Sequence, residues 1–235
     1  RPDSIRAVGT LIFRDAQNAD EYIQTVKNKT GIDFEIISGE KEAAYAFSGA
    51  LYGIDLDKNS TMVVDIGGGS TEFCFPAHCG ELILYSLPFG AVIITEKFLQ
   101  STPASEVEYT KAQNHVKNLL KTNVAFNNHH VKRIVFSGGT ATSTAAAILK
   151  LSGYNSGAVH GSRFNLNQLL GFNEIIMKSN LENRREILKL DPQRADIIAG
   201  GLLILMTVMD YFKFESATVS DGGVRFGVLL EMFSE

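Results

Sequence analysis

VVDIGGGSTEF, residues 63–73, places three consecutive glycines between an apolar run and a second strand-like run. Glycine is unfavourable inside a strand, because it loses the most backbone freedom on folding and brings no side chain to pack. A loop whose main-chain N–H groups converge on an anion explains the glycines, since a Cβ atom would block that approach. An ordinary tight turn is the alternative interpretation of the same residues.

The sequence on both sides of this stretch predicts an α/β protein. Residues 61–68, 70–75 and 81–90 predict a meander of three strands with glycine-bearing turns. Upstream, we predict a buried strand running into a loop over 5–13, helices over 18–31 and 39–53, and a short strand over 34–38. Downstream, we predict helices over 92–100, 105–126, 140–151, 165–178, 184–190 and 195–212, a strand over 131–139, and a strand, glycine turn and helix over 217–233.

Composition limits the classes of function. The chain has 235 residues, 45% of them hydrophobic, and a net charge of −4, which suits one or two domains and argues against a broad nucleic-acid-binding face. Two cysteines, Cys74 and Cys79, predict no disulfide framework and a cytoplasmic location. With His78 they offer three soft ligands, but at no zinc-site spacing. The apolar run 197–209 is too short to span a bilayer and predicts a buried helix, so we expect no membrane partner.

Three glycine loops follow predicted strands. They are Gly67-Gly68-Gly69-Ser70-Thr71, Ser137-Gly138-Gly139-Thr140 and Asp221-Gly222-Gly223. The second also opens a helix, whose positive end favours phosphate. Glu72 stands where a dinucleotide fingerprint needs glycine, and no GK[ST] follows as in a P-loop. Together the loops predict a cleft between two lobes that holds a polyphosphate-like ligand.

Four segments carry a resemblance to the Ppx/GppA family of exopolyphosphatases and guanosine pentaphosphate phosphohydrolases. They are DIGGGSTEF, TGIDFEIISGEKEAAYAFSGA, VFSGGT and VSDGGVRFGVL, and GTLIFRDAQN (9–18) is similar to the family segment that carries an arginine and, four residues later, an asparagine. The resemblance implies an actin-like ATPase fold with two RNase H-like domains, here without the opening strands of the first. It assigns residues 1–58 to the first domain, 59–223 to the second, and 224–235 to a helix near the cleft.

The resemblance also implies roles for individual residues. Glu42 would be the catalytic carboxylate, with Glu40 as the alternative, and Arg14 would neutralise phosphate or pair with a carboxylate. Asp65 and Glu72 would lie at Mg²⁺ or another divalent cation. The implied phosphate-binding residues are Gly67, Gly68, Gly69, Ser70, Gly138, Gly139 and Thr140. Without the resemblance, Glu42 is equally well an acid favoured by the helix dipole, Arg14 a surface arginine and Glu72 a solvent-facing strand residue.

This sequence departs from the family pattern in three places. The opening DxGSNS-type loop is absent, Lys41 stands where many relatives carry an acid, and Phe226 follows Arg225 where glutamate is common. The leading hypothesis is a metal-dependent hydrolase that removes the terminal phosphate of polyphosphate or guanosine pentaphosphate. A non-catalytic phosphate or nucleotide sensor and an ATP-dependent relative remain alternatives. Dimers are common in the family, so the resemblance allows for a homodimer.

Overall fold

The computed structural model of the protein describes residues 4–77, 81–124 and 131–233. The strands are β1 (Ala7–Gly9), β2 (Phe34–Ile36), β3 (Thr61–Ile66), β4 (Thr71–Pro76), β5 (Leu82–Leu87), β6 (Arg133–Ser137), β7 (Arg163–Asn165) and β8 (Ser216–Val219). The helices are α1 (Leu11–Asp15), α2 (Ala19–Thr30), α3 (Gly39–Leu51), α4 (Ala91–Phe98), α5 (Glu106–Asn123), α6 (Gly139–Ile148), α7 (Ser156–Val159), α8 (Leu166–Lys178), α9 (Leu181–Ile187), α10 (Ile198–Phe212) and α11 (Val224–Met232).

A six-stranded mixed sheet organises the larger part of the chain. Its strand order is β5-β4-β3-β6-β8-β7, in which β3, β4 and β5 form the predicted antiparallel meander, and β6 and β8 run parallel to β3. The strands β1 and β2 pair in parallel as a separate two-stranded sheet. The predicted α/β class is therefore confirmed.

The two faces of the large sheet are covered by different helices. Val63 faces a small apolar cluster with Ala43 and Phe47 of α3, whereas Met62 and Val64 belong to the main core, which contains the buried helix α10. Because side chains alternate along a strand, Asp65 lies on the Val63 face, beyond the part that α3 covers. The fold thus places a carboxylate beside the beginning of α3.

The helices α3 and α11 approach each other closely through glycines. A Cβ atom on Gly49 would lie 2.1 Å from the carbonyl oxygen of Gly223, and one on Gly227 would lie 2.2 Å from that of Tyr45. These contacts leave no space for a larger residue, so α11 fixes the position of α3.

Two parts of the secondary structure differ from the prediction. The strand predicted over 5–13 is wrong beyond Gly9, because Phe13 and Arg14 donate to the carbonyl of Thr10 and begin the helix α1. The ring of Phe13 packs there against Phe34, with the centroids 5.6 Å apart. The segments α7 and β7, each of three or four residues, were not predicted, because such short elements carry no periodic signal.

Among the residues that the structure describes, no helix is long and apolar enough to cross a membrane. His78 and Cys79 of the predicted soft-ligand group lie outside the described residues. Cys74 is buried, and its thiol donates to the carbonyl of Ala43 at 3.3 Å. Burial is also the main reason why the pKa of this thiol is raised.

Candidate active site

A row of four polar side chains crosses the large sheet at the end of β3. Asp65 pairs with Ser137 on one neighbouring strand and with Glu72 on the other, and Glu72 pairs in turn with Ser86 of β5. Residues directly opposite each other on adjacent strands share a face and lie within reach of each other's side chains. Strand register alone therefore brings two carboxylates and two hydroxyls together.

Asp65 is partly buried in this row, and burial raises its pKa to about 6. The Ser137 hydroxyl lowers the pKa of Asp65, whereas the nearby charge of Glu42 raises it further. The strand pairing that holds Asp65 thus keeps its carboxyl group in a poorly hydrated position close to a second acid.

Glu72 has the same character. Burial raises its pKa to about 7, and the charges of Asp65 and Glu42 add to the increase. One oxygen, Oε1, accepts hydrogen bonds from Ser70 Oγ at 2.6 Å and from Ser86 Oγ at 3.0 Å. Glu42 therefore lies close enough to Asp65 and Glu72 for its charge to raise the pKa of both carboxyl groups.

Glu42 projects from the first turn of α3. The helix begins after Ser38, whose hydroxyl caps it by accepting from the Lys41 amide at 3.2 Å. Arg14 donates to Glu42 Oε2 from both terminal nitrogens at 2.9 Å, and also to the Ile37 carbonyl at 2.7 Å. Among the described residues Oε1 of Glu42 has no hydrogen-bond partner, so Arg14 holds one oxygen and leaves the other available.

Glu40, the alternative to Glu42, is placed differently. It is exposed to solvent, and hydrogen bonds from its own backbone amide and from the Ser38 hydroxyl lower its pKa. Neither Asp65 nor Glu72 contributes to that shift. The geometry therefore favours Glu42 over Glu40 as the acid of this site.

The loop Gly67-Gly68-Gly69-Ser70 connects β3 and β4 and packs on the start of α4. The carbonyl oxygens of Gly67 and Gly68 accept from Ala91 at 2.9 Å and from Val92 at 3.0 Å. Among the described residues, the backbone amides of Gly68, Gly69 and Ser70 donate no hydrogen bond to a protein acceptor. A Cβ atom on Gly69 would meet nothing within 4 Å, so the protein itself gives no steric reason for this glycine. Close approach of a ligand gives one.

The loop at Gly138 lies against the same place. Gly138 has φ +88°, and a Cβ atom there would lie 2.6 Å from Asp65 Oδ1 and 2.7 Å from the Ile66 carbonyl oxygen. The N-terminus of α6 therefore touches the end of β3. The Thr140 side chain is buried against α10, where a Cβ atom on Gly201 would lie 2.5 Å from it, so phosphate contact at Thr140 is restricted to the amide.

The loop glycines differ in backbone conformation. None of Gly67, Gly68 and Gly69 has a positive φ, whereas Gly138 does. Of the glycines in the three loops, only Gly138 therefore adopts the left-handed backbone that favours glycine. In the third predicted loop Gly222 packs on α3, since a Cβ atom there would lie 2.2 Å from the Gly49 carbonyl oxygen.

Sequence reasoning missed two residues at this site. Ser86 reaches Glu72 only through the β4–β5 register, and Arg194 covers Gly139, where an added Cβ atom would lie 1.9 Å from the guanidinium carbon. Arg194 is held in place by a hydrogen bond that its Nε donates to Asp191 Oδ2 at 2.6 Å. Neither residue belongs to a local motif, so only the folded arrangement identifies them.

A cavity of about 410 Å³ opens beside Gly139 and Arg194. Its lining includes Tyr154, Lys150 and Lys189, together with apolar side chains of α6 and α9. Tyr154 donates to Asp221 at 2.7 Å across the neighbouring loop. The cavity thus joins an aromatic ring and basic groups to the second glycine loop.

The carboxylates fit a divalent cation that a substrate helps to hold. No group of three acidic, histidine or cysteine side chains is arranged to hold a metal ion within the described ranges. Mg²⁺ commonly binds one or two carboxylates together with substrate phosphates and waters. Asp65 and Glu72 supply two such groups, and a cation would offset the burial and the like-charge repulsion that raise their pKa values.

Comparison with known proteins identifies the family to which the chain belongs. Residues 1–235 match the model of the Ppx/GppA phosphatase family. A solved structure of an Aquifex aeolicus member of that family superposes with a TM-score of 0.87 at 31% identity, over 97% of this chain and 74% of the other. This likeness also confirms the actin-like fold class.

Two curated relatives have different lengths. The bifunctional 3-dehydroquinate synthase/phosphatase of Fusobacterium nucleatum is 35% identical over 97% of this chain, which spans 34% of that protein. Exopolyphosphatase 2 of Mycobacterium tuberculosis is 27% identical, and 98% of this chain matches 75% of its length. Since the family model and the superposed structure both extend over nearly all of the chain, this protein belongs to the Ppx/GppA phosphatase family.

Proposed function

We propose that this protein is a phosphoanhydride hydrolase that releases terminal orthophosphate from polyphosphate or from guanosine pentaphosphate. The observation that carries the proposal is the convergence of Glu42, Asp65 and Glu72 beside the two glycine loops at 67–70 and 138–140. Family membership and the similarity to Exopolyphosphatase 2 support a phosphatase. The homodimer, the cytoplasmic location and the domain boundaries stay predictions.

Glu42 is the proposed general base. Its free Oε1 accepts a proton from a water molecule, the water oxygen bonds to the terminal phosphorus, and the bond from phosphorus to the bridging oxygen breaks. Arg14 fixes the other carboxylate oxygen through two hydrogen bonds of 2.9 Å. A carboxylate held in this way is oriented before substrate arrives, which lowers the cost of reaching the reactive geometry.

The loops and the acidic pair handle the phosphate charge. The amides of Gly68, Gly69 and Ser70 and the start of α6 at Gly139 are proposed to bind phosphate oxygens. Asp65 and Glu72 would hold Mg²⁺ or a similar cation, which when bound neutralises charge on the phosphates. Phosphoryl transfer depends mainly on such positioning and charge stabilisation.

The cavity beside Gly139 is the feature that supports guanosine pentaphosphate, the second of the two candidate substrates. An inorganic polyphosphate chain has no ring to place against Tyr154 and the apolar side chains of this cavity, whereas a nucleoside does. The cavity of about 410 Å³ with Tyr154, Lys150 and Arg194 at its lining suits a base with attached phosphates. Polyphosphate needs only the loops and the basic groups.

A phosphate-release assay on the full chain tests this proposal. Polyphosphate, guanosine pentaphosphate and ATP are compared with Mg²⁺ and with a chelator present. We expect release from one of the first two only with the cation. Binding of these compounds without turnover would support the sensor alternative, and turnover of ATP alone would support the ATP-dependent alternative. Either result would contradict the proposed hydrolase.

A further inference from the structure

The edge strand β5 contributes one side chain to the acidic row. Ser86 stands directly opposite Glu72 in the β4–β5 register, and its hydroxyl donates to Glu72 Oε1 at 3.0 Å. Ser70 donates to the same oxygen at 2.6 Å from the glycine loop. Two donors on one oxygen fix the rotation of the carboxylate about its last torsion.

The other oxygen of Glu72 is left available. Within the described part of the chain, Oε2 of Glu72 accepts no hydrogen bond, and the neighbouring strand places Asp65 opposite Glu72. A glutamate has three side-chain torsions, so a carboxylate without such contacts samples several orientations. Residues that hydrogen-bond a metal-binding carboxylate commonly set its orientation and thereby the affinity of the site.

From this arrangement we propose that Ser86 is a positioning residue for Glu72. By holding Oε1 of Glu72, Ser86 directs Oε2 of Glu72 toward the proposed cation and phosphate site beside Asp65. The inference rests on the proposed function, because it assumes that Asp65 and Glu72 hold a divalent cation. Ser86 differs from Ser70 in belonging to no phosphate loop. Its hydroxyl is therefore the donor that can be removed without disturbing the glycine turn.

The position of Ser86 makes a clean test possible. It is exposed on the last strand of the sheet, so substitution there leaves the core unchanged. Threonine and valine have nearly the same shape and both suit a strand, but only threonine keeps the hydroxyl. Ser86→Thr and Ser86→Val therefore differ in the proposed hydrogen bond alone.

The measurement is Mn²⁺ binding to the full chain by electron paramagnetic resonance with orthophosphate present, because the divalent site is proposed to use two carboxylates together with a phosphate; Mn²⁺ is the probe. We expect Ser86→Val to weaken Mn²⁺ binding by about 10-fold relative to Ser86→Thr. A third variant, Ser48→Ala, removes an exposed hydroxyl that bonds only to carbonyls of its own helix, and should leave Mn²⁺ binding unchanged. Phosphate release at saturating Mg²⁺ should recover in Ser86→Val, because a higher cation concentration compensates for weaker binding.

The outcomes separate this inference from the proposed function. Equal Mn²⁺ affinity in the valine and threonine variants, with a wild-type protein that binds Mn²⁺, would overturn the inference alone. A wild-type protein that binds no Mn²⁺ would overturn both this inference and the proposed cation site. A wild-type protein that binds Mn²⁺ but releases no phosphate would contradict the hydrolase, while the affinity comparison still decides the role of Ser86.

Discussion

At the residue scale, the site brings together acids that the fold would be more stable without. Asp65 and Glu72 stand opposite each other on adjacent strands, and Glu42 adds a third nearby charge. Burial and mutual repulsion favour the protonated carboxyl groups. Such an arrangement lowers stability at neutral pH and is typical of functional sites.

We predict that Asp65→Asn stabilises the fold at pH 7.5 in the absence of divalent cations. The pKa of Asp65 is raised from 3.8 to about 6 in the folded protein, so the favourable contribution of its protonated form is complete below pH 4. That contribution is lost as the pH rises through about 6. Asparagine avoids the loss, and the free energy of unfolding should increase by about 3 kcal/mol, since each pKa unit corresponds to about 1.4 kcal/mol. Urea unfolding at pH 7.5 and pH 4 measures this increase in the free energy of unfolding. An equal increase at the two pH values would contradict the raised pKa of Asp65.

A second prediction concerns Arg14. Its two terminal nitrogens share Glu42 Oε2, and a lysine ammonium cannot reproduce this planar pair of contacts. Arg14→Lys should therefore lower kcat for phosphate release by about 10- to 100-fold, since a misplaced base loses that much in rate. Steady-state kinetics with Lys27→Arg, a change at an exposed ion pair with Asp33, serves as the control. An unchanged kcat in Arg14→Lys would show that Arg14 does not orient Glu42.

At the element scale, the helix α3 is held between the large sheet and α11. Glycines at the α3–α11 contact let the two backbones approach, and Glu42 lies on the first turn of the helix so positioned. Tyr45 of α3 also donates to Glu231 of α11 at 2.5 Å. The position of the proposed base thus depends on a contact that is distant in sequence.

We predict opposite effects of two glycine-to-alanine changes in helices. Gly49→Ala places a Cβ atom 2.1 Å from the Gly223 carbonyl oxygen and should destabilise the fold by about 2 kcal/mol or more. Gly171→Ala on α8 meets nothing within 4 Å and should stabilise by about 0.5 to 1 kcal/mol, because alanine favours helix. Thermal unfolding of both variants is the measurement. Similar values of Tm would show that α3 and α11 do not pack as described.

The sequence predicted elements well where local signals were strong. The helix predicted over 18–31 ends at Gly31 in the left-handed conformation, and the helix predicted from 105 begins there, where the structure shows a capping box of Ser105 and Glu108. The strand predicted over 5–13 was wrong beyond Gly9, because β-branched and aromatic residues favour a strand, whereas the packing of Phe13 on Phe34 stabilises a helix.

The site was predictable only in part, because some of its contacts join residues that are distant in sequence. Strand ends in a parallel arrangement meet at one edge, so the approach of the loops at 67–70 and 138–140 could be expected from sequence. The contact of Ser86 with Glu72 depends on register, and that of Arg194 with Gly139 joins residues 55 positions apart. Neither follows from periodicity or local motif. The family resemblance pointed to Glu42, and the bonds from Arg14 distinguish it from Glu40.

At the scale of the whole molecule, the proposed divalent cation would compete with protons for the same carboxylates. Asp65 and Glu72 titrate near pH 6 and 7, so both are largely protonated at pH 5.5 and ionised at pH 8. A cation that binds the ionised forms stabilises the fold, and the stabilisation increases with the logarithm of cation concentration over Kd. The stability of the whole chain should therefore depend jointly on pH and on cation concentration.

We predict that 10 mM Mg²⁺, a concentration on the order of that used to saturate weak carboxylate sites, raises Tm at pH 8 but has little effect at pH 5.5. The reason is that protonated carboxyl groups do not bind the cation. Differential scanning fluorimetry of wild type and Asp65→Asn makes the comparison, and the variant should lose the shift at both pH values. A shift of equal size at both pH values in wild type would indicate binding elsewhere.

The central claim is that Glu42, oriented by Arg14, activates the water that attacks the terminal phosphate. Its most direct test is kcat for phosphate release by Glu42→Gln beside the matched variant Glu40→Gln, with substrate binding measured for both. Loss of general-base catalysis should lower kcat of Glu42→Gln by about 10²- to 10⁴-fold while binding persists, and Glu40→Gln should stay near wild type. Retained turnover in Glu42→Gln, or a greater loss in Glu40→Gln, would contradict the account.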